Sequence, residues 1–413
     1  MRISSSPVYY GWFVLAASAV CELLAQGATS YAAGLFVMPL QAEFHLSRAD
    51  ANSSILILFL GSALAAPLVG KALDRFPIRL LVTVGALLFS GALAIIAITP
   101  SLWVMMLALF LPAAFGFMAI GPLTTSTLAA RWFFKRRGLA LGIAAVATSG
   151  GGLVVVPLLS HAIQAYGWRT ALLYEAGIIA AIIIALTLVV LRDNPDAAGL
   201  GDHSENQGRP SQPATGKLSP RWSEILTRRA FWIPSLALAN ISGTCQAIVV
   251  TIVPYGVQLG ASITAAAFII SAFAIAAAIT KVLAGFLADY LNQRWLLVAA
   301  TVLMIGAQLL LWISPTYNAL LIASSIAGAS LGFALPTAAG LIAAGFGPAS
   351  FGAAMGWTYA MVLAFAIVAS RFIGAVFDMT QSYVPAFVTF AVITSGVLAA
   401  MLLFSYRDDR QAA

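Results

Sequence analysis

Charge is scarce in this sequence: Asp, Glu, Lys and Arg make up 8% of its 413 residues, while 61% are hydrophobic. Ordinary soluble domains carry about 25% charged residues, so the composition excludes a water-soluble globular protein. The chain has only two cysteines, Cys21 and Cys245, and three scattered histidines. This supplies neither a disulfide framework nor the spacing of a metal site. We therefore expect packing roles for the cysteines and no metal or other cofactor.

Catalytic patterns are also missing. No His, Cys or carboxylate cluster has catalytic spacing, and no Gly-rich phosphate loop is tied to a soluble domain. We therefore expect that the protein is not an enzyme. The N-terminal region lacks a short apolar run that ends in a small-residue cleavage site, so we expect the first helix to be retained rather than removed as a signal peptide.

What the sequence does contain is long apolar runs. Runs of about 20 residues predict membrane helices, and twelve occur here, at 10–40, 49–72, 78–98, 101–130, 137–164, 168–191, 230–258, 262–288, 295–313, 317–345, 350–377 and 382–405. The fold class predicted is an all-α polytopic membrane protein with twelve transmembrane helices.

The basic residues report topology. The formal charge is +7, and 17 of the 21 Lys and Arg residues fall at the termini or in every second loop. Arg48 and Arg169 lie on the other side, and Lys281 and Arg371 lie inside helices. The positive-inside rule then places both termini and the 192–228 segment in the cytoplasm. The basic charge does not indicate a nucleic-acid partner.

The chain divides at that segment. Residues 192–228 are polar and rich in Pro, Gly and Ser, which is typical of a flexible linker. We expect an N-terminal six-helix half over 1–191 and a C-terminal half over 229–413. The end of the linker, 219–229, has the spacing of a short amphipathic helix on the inner membrane surface, whereas a solvated tether is the alternative for the first part of the linker.

An internal repeat relates the two halves. The segment from Gly70 to Asp74 after the second helix is echoed by Gly285 to Asp289 after the eighth, at an offset of 215 residues. Two halves in parallel duplication are typical of transporters that alternate access to a midplane site. From the repeat we predict two six-helix halves around a central cavity.

Two cations inside membrane helices are the strongest site signal. Such a charge costs roughly 2.5–3.5 kcal/mol on insertion scales. Lys281 has only small residues on its own helical face, and Arg371 has no acidic residue beside it. We interpret Lys281 as an anion-binding residue. For Arg371, a second anchor competes with snorkelling to the membrane surface.

Polar residues on two other helices complete the candidate site. Glu22, Gln26 and Thr29 follow helical spacing on the first helix, and Asn240 begins a similar stripe on the seventh. We predict Gln26 and Asn240 as substrate ligands beside Lys281 and Arg371. Glu22 is the candidate for proton coupling, with a structural carboxylate as the alternative.

At this point the sequence resembles the major facilitator superfamily over essentially its whole length. Gly70-x-x-x-Asp74-Arg75-x-x-x-Arg79 is similar to that superfamily's loop signature, with Pro77 where Gly is usual. Residues 131–142, Arg-Trp-Phe-Phe-Lys-Arg-Arg-Gly-Leu-Ala-Leu-Gly, resemble the fifth-helix start of the monocarboxylate transporter family. The resemblance implies that Lys281 binds the substrate carboxylate, and it implies a bacterial inner-membrane protein. Together with the repeat symmetry, it implies a cytoplasmic gate between the halves built from the loop charges Asp74, Arg75, Arg79, Asp289 and Arg294.

Departures from that family keep two transport modes open. Ala277 stands where the pattern carries an acidic residue, and the first helix has no Lys, so coupling by that route is not implied. The related oxalate:formate antiporter family also resembles this chain, with basic residues in the eighth and eleventh helices. We predict a secondary transporter of small organic carboxylates, acting as a monomer in membrane lipid and linked to protons. A carboxylate:carboxylate antiporter and a drug efflux carrier are the alternatives.

Overall fold

We describe a computed structural model of the chain over residues 9–45, 48–195, 222–314 and 316–403. Within these ranges the regular structure is entirely helical. Twelve helical segments are long and apolar enough to cross a membrane, at the positions that the apolar runs predict. The predicted fold class is thereby confirmed.

The N-terminal half consists of nine α-helical segments and two π-helical turns. They are α1 (Gly11–Gln26), a first π turn (Gly27–Tyr31), α2 (Ala33–Phe44), α3 (Arg48–Arg75), α4 (Ile78–Ile98), α5 (Leu102–Ala108), a second π turn (Leu109–Ala113), α6 (Ala114–Ile120), α7 (Pro122–Trp132), α8 (Arg137–Tyr166) and α9 (Trp168–Val189).

The C-terminal half follows a short helix, α10 (Trp222–Thr227), which lies within the segment 219–229 for which the sequence indicated a short amphipathic helix. Residues 196–221 of the predicted linker lie outside the described residues. The membrane helices of this half are α11 (Arg229–Gln258), α12 (Ile263–Tyr290), α13 (Gln293–Ile313), α14 (Tyr317–Phe346), α15 (Phe351–Thr380) and α16 (Val384–Leu403).

Helix boundaries follow local chemistry. The hydroxyls of Ser262 and Thr316 accept backbone N–H bonds of 3.2 and 3.3 Å at the starts of α12 and α14, as N-cap residues do. Gly167 and Gly347 follow the ends of α8 and α14 at φ of 79° and 70°. Because this left-handed region is open to glycine without steric cost, both helices stop sharply there.

The two halves pack most closely at one end of the bundle, where α9 ends and α11 begins, which we call the linker end. Helix α3 crosses α15, and α8 crosses α12, with glycine on both sides of each crossing. A Cβ placed on Gly70 would lie 2.2 Å from the Gly352 carbonyl oxygen, and one on Gly138 would lie 2.5 Å from that of Gly285. Main chain therefore meets main chain, as small residues allow in membrane helices.

Candidate functional site

Lys281 lies at the closed inner end of a cleft between the halves. Ser271, Ala274 and Ala278 precede it by ten, seven and three residues, so all four share one face of α12. Exposure falls along this face from Ser271 and Ala274, which are exposed, to Lys281, which is 5% exposed. The cleft therefore opens away from the linker end.

The ammonium group of Lys281 binds hydroxyl groups of the opposite half. Its Nζ donates to Thr148 Oγ1 at 2.6 Å and to Ser149 Oγ at 3.0 Å, both on α8. The Thr148 hydroxyl donates onward to the Ala145 carbonyl at 2.7 Å, which leaves its oxygen free to accept from the lysine. An ammonium group has three N–H donors. Among the described residues the third has no acceptor, and no carboxylate forms an ion pair with it.

A glycine contact brings these residues together. A Cβ on Gly142 of α8 would lie 2.6 Å from the Lys281 carbonyl oxygen, so glycine lets the two helices meet at that depth. The side chain of Ser149 also interacts with the hydroxyl of Tyr31, whose ring lies against Gly152. Sequence reasoning missed Thr148, Ser149 and Tyr31, although two adjacent hydroxyl residues before Gly150 in an apolar helix are a detectable signal.

Glu22 faces the same buried region from α1 and is 1% exposed. Its carboxylate interacts with the side chain of Thr125 on α7 and, at longer range, with the charge of Lys281. Tyr359 of α15 is buried nearby, where its hydroxyl lies beside Ser126 and within the field of Glu22 but has no hydrogen-bond partner among the described residues. The site thus holds one buried carboxylate and one buried ammonium, supplied by opposite halves and not in contact.

The first π turn changes which residues continue the Glu22 face. The Ser30 hydroxyl donates to Gln26 Oε1 at 3.1 Å, so Gln26 and Ser30 lie together. Thr29 instead donates to the Ala25 carbonyl at 2.7 Å and lines an apolar pocket inside the N-terminal half. A π turn holds one residue more than an α turn. The predicted stripe therefore continues through Ser30, and its Thr29 position is wrong.

Asn240 does not lie with these residues. Its Oδ1 accepts from the Thr394 hydroxyl at 2.9 Å, and Gln308 Nε2 donates to the same hydroxyl at 3.1 Å. These three side chains belong to α11, α16 and α13, and all are buried inside the C-terminal half. The predicted role of Asn240 as a substrate ligand is corrected to a structural one, because its polar stripe faces the interior of its own half.

Arg371 also lies apart from Lys281. It belongs to an exposed stripe of α15 with Ala364, Val368 and Ala375, of which Val368 is 66% exposed. At 3.6 residues per turn this stripe points about 120° away from the buried face that carries Tyr359. Within the described part of the chain, no hydrogen bond or ion pair involves the Arg371 side chain. No contact among the described residues supports the second-anchor role of Arg371, which stays a prediction.

The predicted gate residues separate into two groups. Asp289 accepts backbone N–H bonds from Gly138 (2.6 Å) and Leu139 (3.0 Å) at the start of α8. Asp74 does the same for Gly352 (3.0 Å) and Ala353 (2.8 Å) at the start of α15. Each carboxylate thus caps a helix of the other half, where the helix dipole favours negative charge.

The arginines of that set behave differently. Arg79 donates to the carbonyls of Leu191 (2.6 Å) and Leu188 (3.0 Å), and Arg294 donates to that of Met401 at 2.7 Å. Each of these arginines therefore bonds to its own half. The prediction that Arg79 and Arg294 form part of a gate between the halves is wrong on this point. A residue that the prediction omitted, Arg131, lies 3.4 Å from Asp74.

Comparison with known proteins agrees with this arrangement. A family model described as Major Facilitator Superfamily matches residues 18–255 and 236–413. Human monocarboxylate transporter 11 is 30% identical over 299 residues, which are 72% of this chain and 60% of that protein. The oxalate:formate antiporter of Oxalobacter formigenes is 26% identical over 252 residues, 60% of this chain and 56% of that protein. The chain thus spans about three fifths of these relatives.

Among solved structures, the transporter FucP of E. coli in the outward conformation superposes with a TM-score of 0.71 at 15% identity. The superposition covers 96% of this chain and 100% of FucP. At this identity the likeness concerns the fold alone.

Proposed function

The chain belongs to the Major Facilitator Superfamily, and we propose that it carries small organic monocarboxylate anions across the membrane by alternating access. The observation that carries this proposal is the buried Lys281 ammonium, which has hydroxyl partners and, among the described residues, no carboxylate in contact. A buried ammonium whose balancing carboxylate, Glu22, is out of contact is incompletely compensated for the several kcal/mol that desolvation costs. A substrate carboxylate entering from the open cleft would supply a contact ion pair and accept the third N–H.

The number of charges favours one carboxylate per cycle. Lys281 is the cation at the inner end of the cleft, and Arg371 lies on a different face of its helix. A dicarboxylate would therefore bring a second negative charge to a site with one ammonium. Thr148 and Ser149 are already bonded to Lys281, and Tyr31 lies beside Ser149, so hydroxyl groups surround the proposed carboxylate position.

Charge balance also favours proton-linked transport over exchange. In the empty carrier the Lys281 ammonium and the Glu22 carboxylate balance each other, so the empty site is able to reorient without a net buried charge. A bound monocarboxylate makes the site negative by one charge. Protonation of Glu22 restores neutrality, because a nearby anion disfavours an ionised carboxylate. We propose that one proton on Glu22 accompanies one substrate anion.

The proposed orientation places the linker end in the cytoplasm. The basic residues cluster in the loops of that end, as cytoplasmic loops do. With Asp74 and Asp289 capping helices across the halves, this arrangement is closed towards the cytoplasm and open outwards. We propose a monomeric carrier of the bacterial inner membrane with Asp74 and Asp289 as its cytoplasmic gate.

Transport of labelled lactate and related acids into proteoliposomes tests the binding role. Lys281→Gln should abolish uptake, and Lys281→Arg should retain part of it, since the charge remains while the geometry of its donors changes. Arg371→Gln is the matched control, because it removes a membrane-helix cation outside the site. Near-normal uptake by Lys281→Gln, with the protein folded and inserted, would refute the proposal.

The same vesicles distinguish proton-linked transport from exchange. With no internal anion, an inward proton gradient should drive uptake by the native protein. Glu22→Gln leaves the Lys281 charge unbalanced in the empty carrier, so this variant should lose that uptake and transport only in exchange for preloaded internal anion. Uptake that ignores the gradient and requires preloaded internal anion would establish exchange, the activity that the name of the Oxalobacter relative describes. Inclusion of cationic drugs in the substrate panel tests the efflux alternative.

A further inference from the structure

A groove unrelated to the transport site opens on the outer side of the C-terminal half, between α11 and α16. Its volume is about 480 Å³. Its lining includes Arg229, Trp232, Leu236, Gly396 and Met401. Among the described residues that line it, Arg229 is the only charged one; the others are apolar residues, glycine and the Trp232 indole.

The groove runs from the linker end into the depth of the membrane. Helix α11 begins at Arg229 and α16 ends at Leu403, so these termini lie together and the helices run in opposite directions. From Arg229 to Leu236 the wall spans seven residues, about 10 Å at 1.5 Å per residue. A Cβ placed on Gly396 would meet no atom within 4 Å, so the groove is open at its middle. An elongated hydrocarbon chain fits this shape.

The mouth of the groove is positively charged. Arg229 lines it directly, and Arg294 Nη2 donates to the carbonyl of Met401, another lining residue, at 2.7 Å. Trp232 is 41% exposed there, and its indole N–H donates to the Leu226 carbonyl at 2.6 Å. Tryptophan and arginine at the end of membrane helices are typical of the headgroup level of a bilayer.

We propose that this groove binds one anionic glycerophospholipid, with an acyl chain along α11 and α16 and the phosphate between Arg229 and Arg294. Charge complementarity selects this occupant, because a basic site at the membrane end of helices favours lipids with a net negative headgroup. Each arginine near the headgroup contributes about a fivefold preference, so the two together favour phosphatidylglycerol over phosphatidylcholine by about 25-fold.

Native mass spectrometry of the full chain, titrated with phosphatidylglycerol or with phosphatidylcholine of identical acyl chains, measures this preference. Arg229→Gln should reduce the preference about fivefold, while Arg136→Gln, which removes an exposed arginine elsewhere at the same end, should leave it unchanged. Gly396→Leu places a side chain in the open middle of the groove and should lower the occupancy of both lipids. Gly306→Leu is its matched control, because a Cβ there also meets no atom within 4 Å.

Equal binding of the two lipids by the native protein would overturn the proposal. So would a loss of occupancy in Gly306→Leu as large as that in Gly396→Leu, since the lipid would then bind the general surface. Competition by soluble glycerol phosphate at the same concentration would show a phosphate site without a groove for the chain, and would also overturn it. None of these outcomes depends on the transported substrate.

Discussion

Replacing Asp289 with asparagine should loosen the closed linker end of the bundle. The carboxylate of Asp289 accepts two N–H bonds, from Gly138 at 2.6 Å and Leu139 at 3.0 Å, in the first turn of α8. Asparagine has the same shape as aspartate, but its side-chain NH2 group is a hydrogen-bond donor where aspartate has an acceptor oxygen. In the variant this NH2 group would face a backbone N–H, which is also a donor. The variant therefore keeps at most one of the two bonds and loses the negative charge at the helix start.

The size of the effect follows from these two losses. A hydrogen bond to a charged group contributes about 1.5–3 kcal/mol, and a negative charge at a helix N-terminus contributes about 0.3–1 kcal/mol. Together they stabilise the closed contact by roughly 2–4 kcal/mol. The ratio of closed to open linker end should therefore fall by a factor of roughly 30 to 700, at 1.4 kcal/mol per factor of ten.

Pulsed electron paramagnetic resonance measures that ratio directly. Spin labels at Lys135→Cys and Tyr290→Cys place one probe on each half at the linker end, on exposed positions. The native cysteines Cys21 and Cys245 are buried, so they should label slowly. In the otherwise native protein a single short distance is expected, and Asp289→Asn should add a population at longer distance.

Glu224→Gln supplies the control, since it removes a carboxylate of α10 at the same end. Asp74→Asn should open the linker end to a similar extent, because Asp74 accepts the equivalent two N–H bonds at the start of α15. The reasoning fails if Asp289→Asn leaves the distances unchanged, or if Glu224→Gln shifts them equally.

Three further predictions concern residues outside the site. Arg371→Gln should leave the apparent affinities for mono- and dicarboxylates within about twofold of native, because Arg371 does not contact the substrate in the proposed site. The loss of a direct contact worth about 1.4 kcal/mol would instead weaken the affinity about tenfold, and uptake titrations distinguish the two results. Asn240→Ala should leave KM unchanged and destabilise the fold by about 0.5–1.5 kcal/mol, the net value of one hydrogen bond, because the Thr394 hydroxyl keeps the Phe390 carbonyl as an acceptor at 2.7 Å; thermal unfolding in detergent measures it. The Arg169 guanidinium holds the pKa of Glu43 below its usual value, so this pair stabilises the fold above the ordinary carboxyl pKa and the effect is lost as pH falls through the lowered one. Glu43→Gln should cost only about 0–1 kcal/mol because the pair is exposed, and Arg169→Gln should cost more, since it also loses three carbonyl partners at the end of α4.

The fold was predictable because membrane helices follow from composition alone. An apolar run needs no partner to be recognised, and the charges that flank each run fix its length to within a few residues. The repeat from Gly70 and Asp74 to Gly285 and Asp289 also indicated which elements would be equivalent. The structure uses both pairs in the same way, with glycine at the crossing and the carboxylate at a helix start.

The site was predictable only in its charged members. A lysine in an apolar helix is easily recognised in the sequence. The hydroxyls that accept its hydrogen bonds, those of Thr148 and Ser149, lie more than 130 residues away along the chain, in the other half. Spacing along one helix cannot show which neighbour a stripe faces, so Asn240 was assigned to the cavity although it packs on Thr394. Tyr359 carries no charge at neutral pH and gave no signal among the other aromatic residues.

The first π turn has a consequence for how this chain compares with others in length. Because Gly27–Tyr31 accommodates one residue beyond the α-helical number, deletion of a single codon in that turn would restore an ordinary helix instead of shifting the flanking segments by a residue. A gap in the middle of a membrane helix is therefore tolerable at this position and disruptive almost anywhere else in α1. If no gap is allowed inside this helix, the cavity-facing position of a chain without the π turn is matched to Thr29 of this chain. The residue that continues the cavity face here is Ser30.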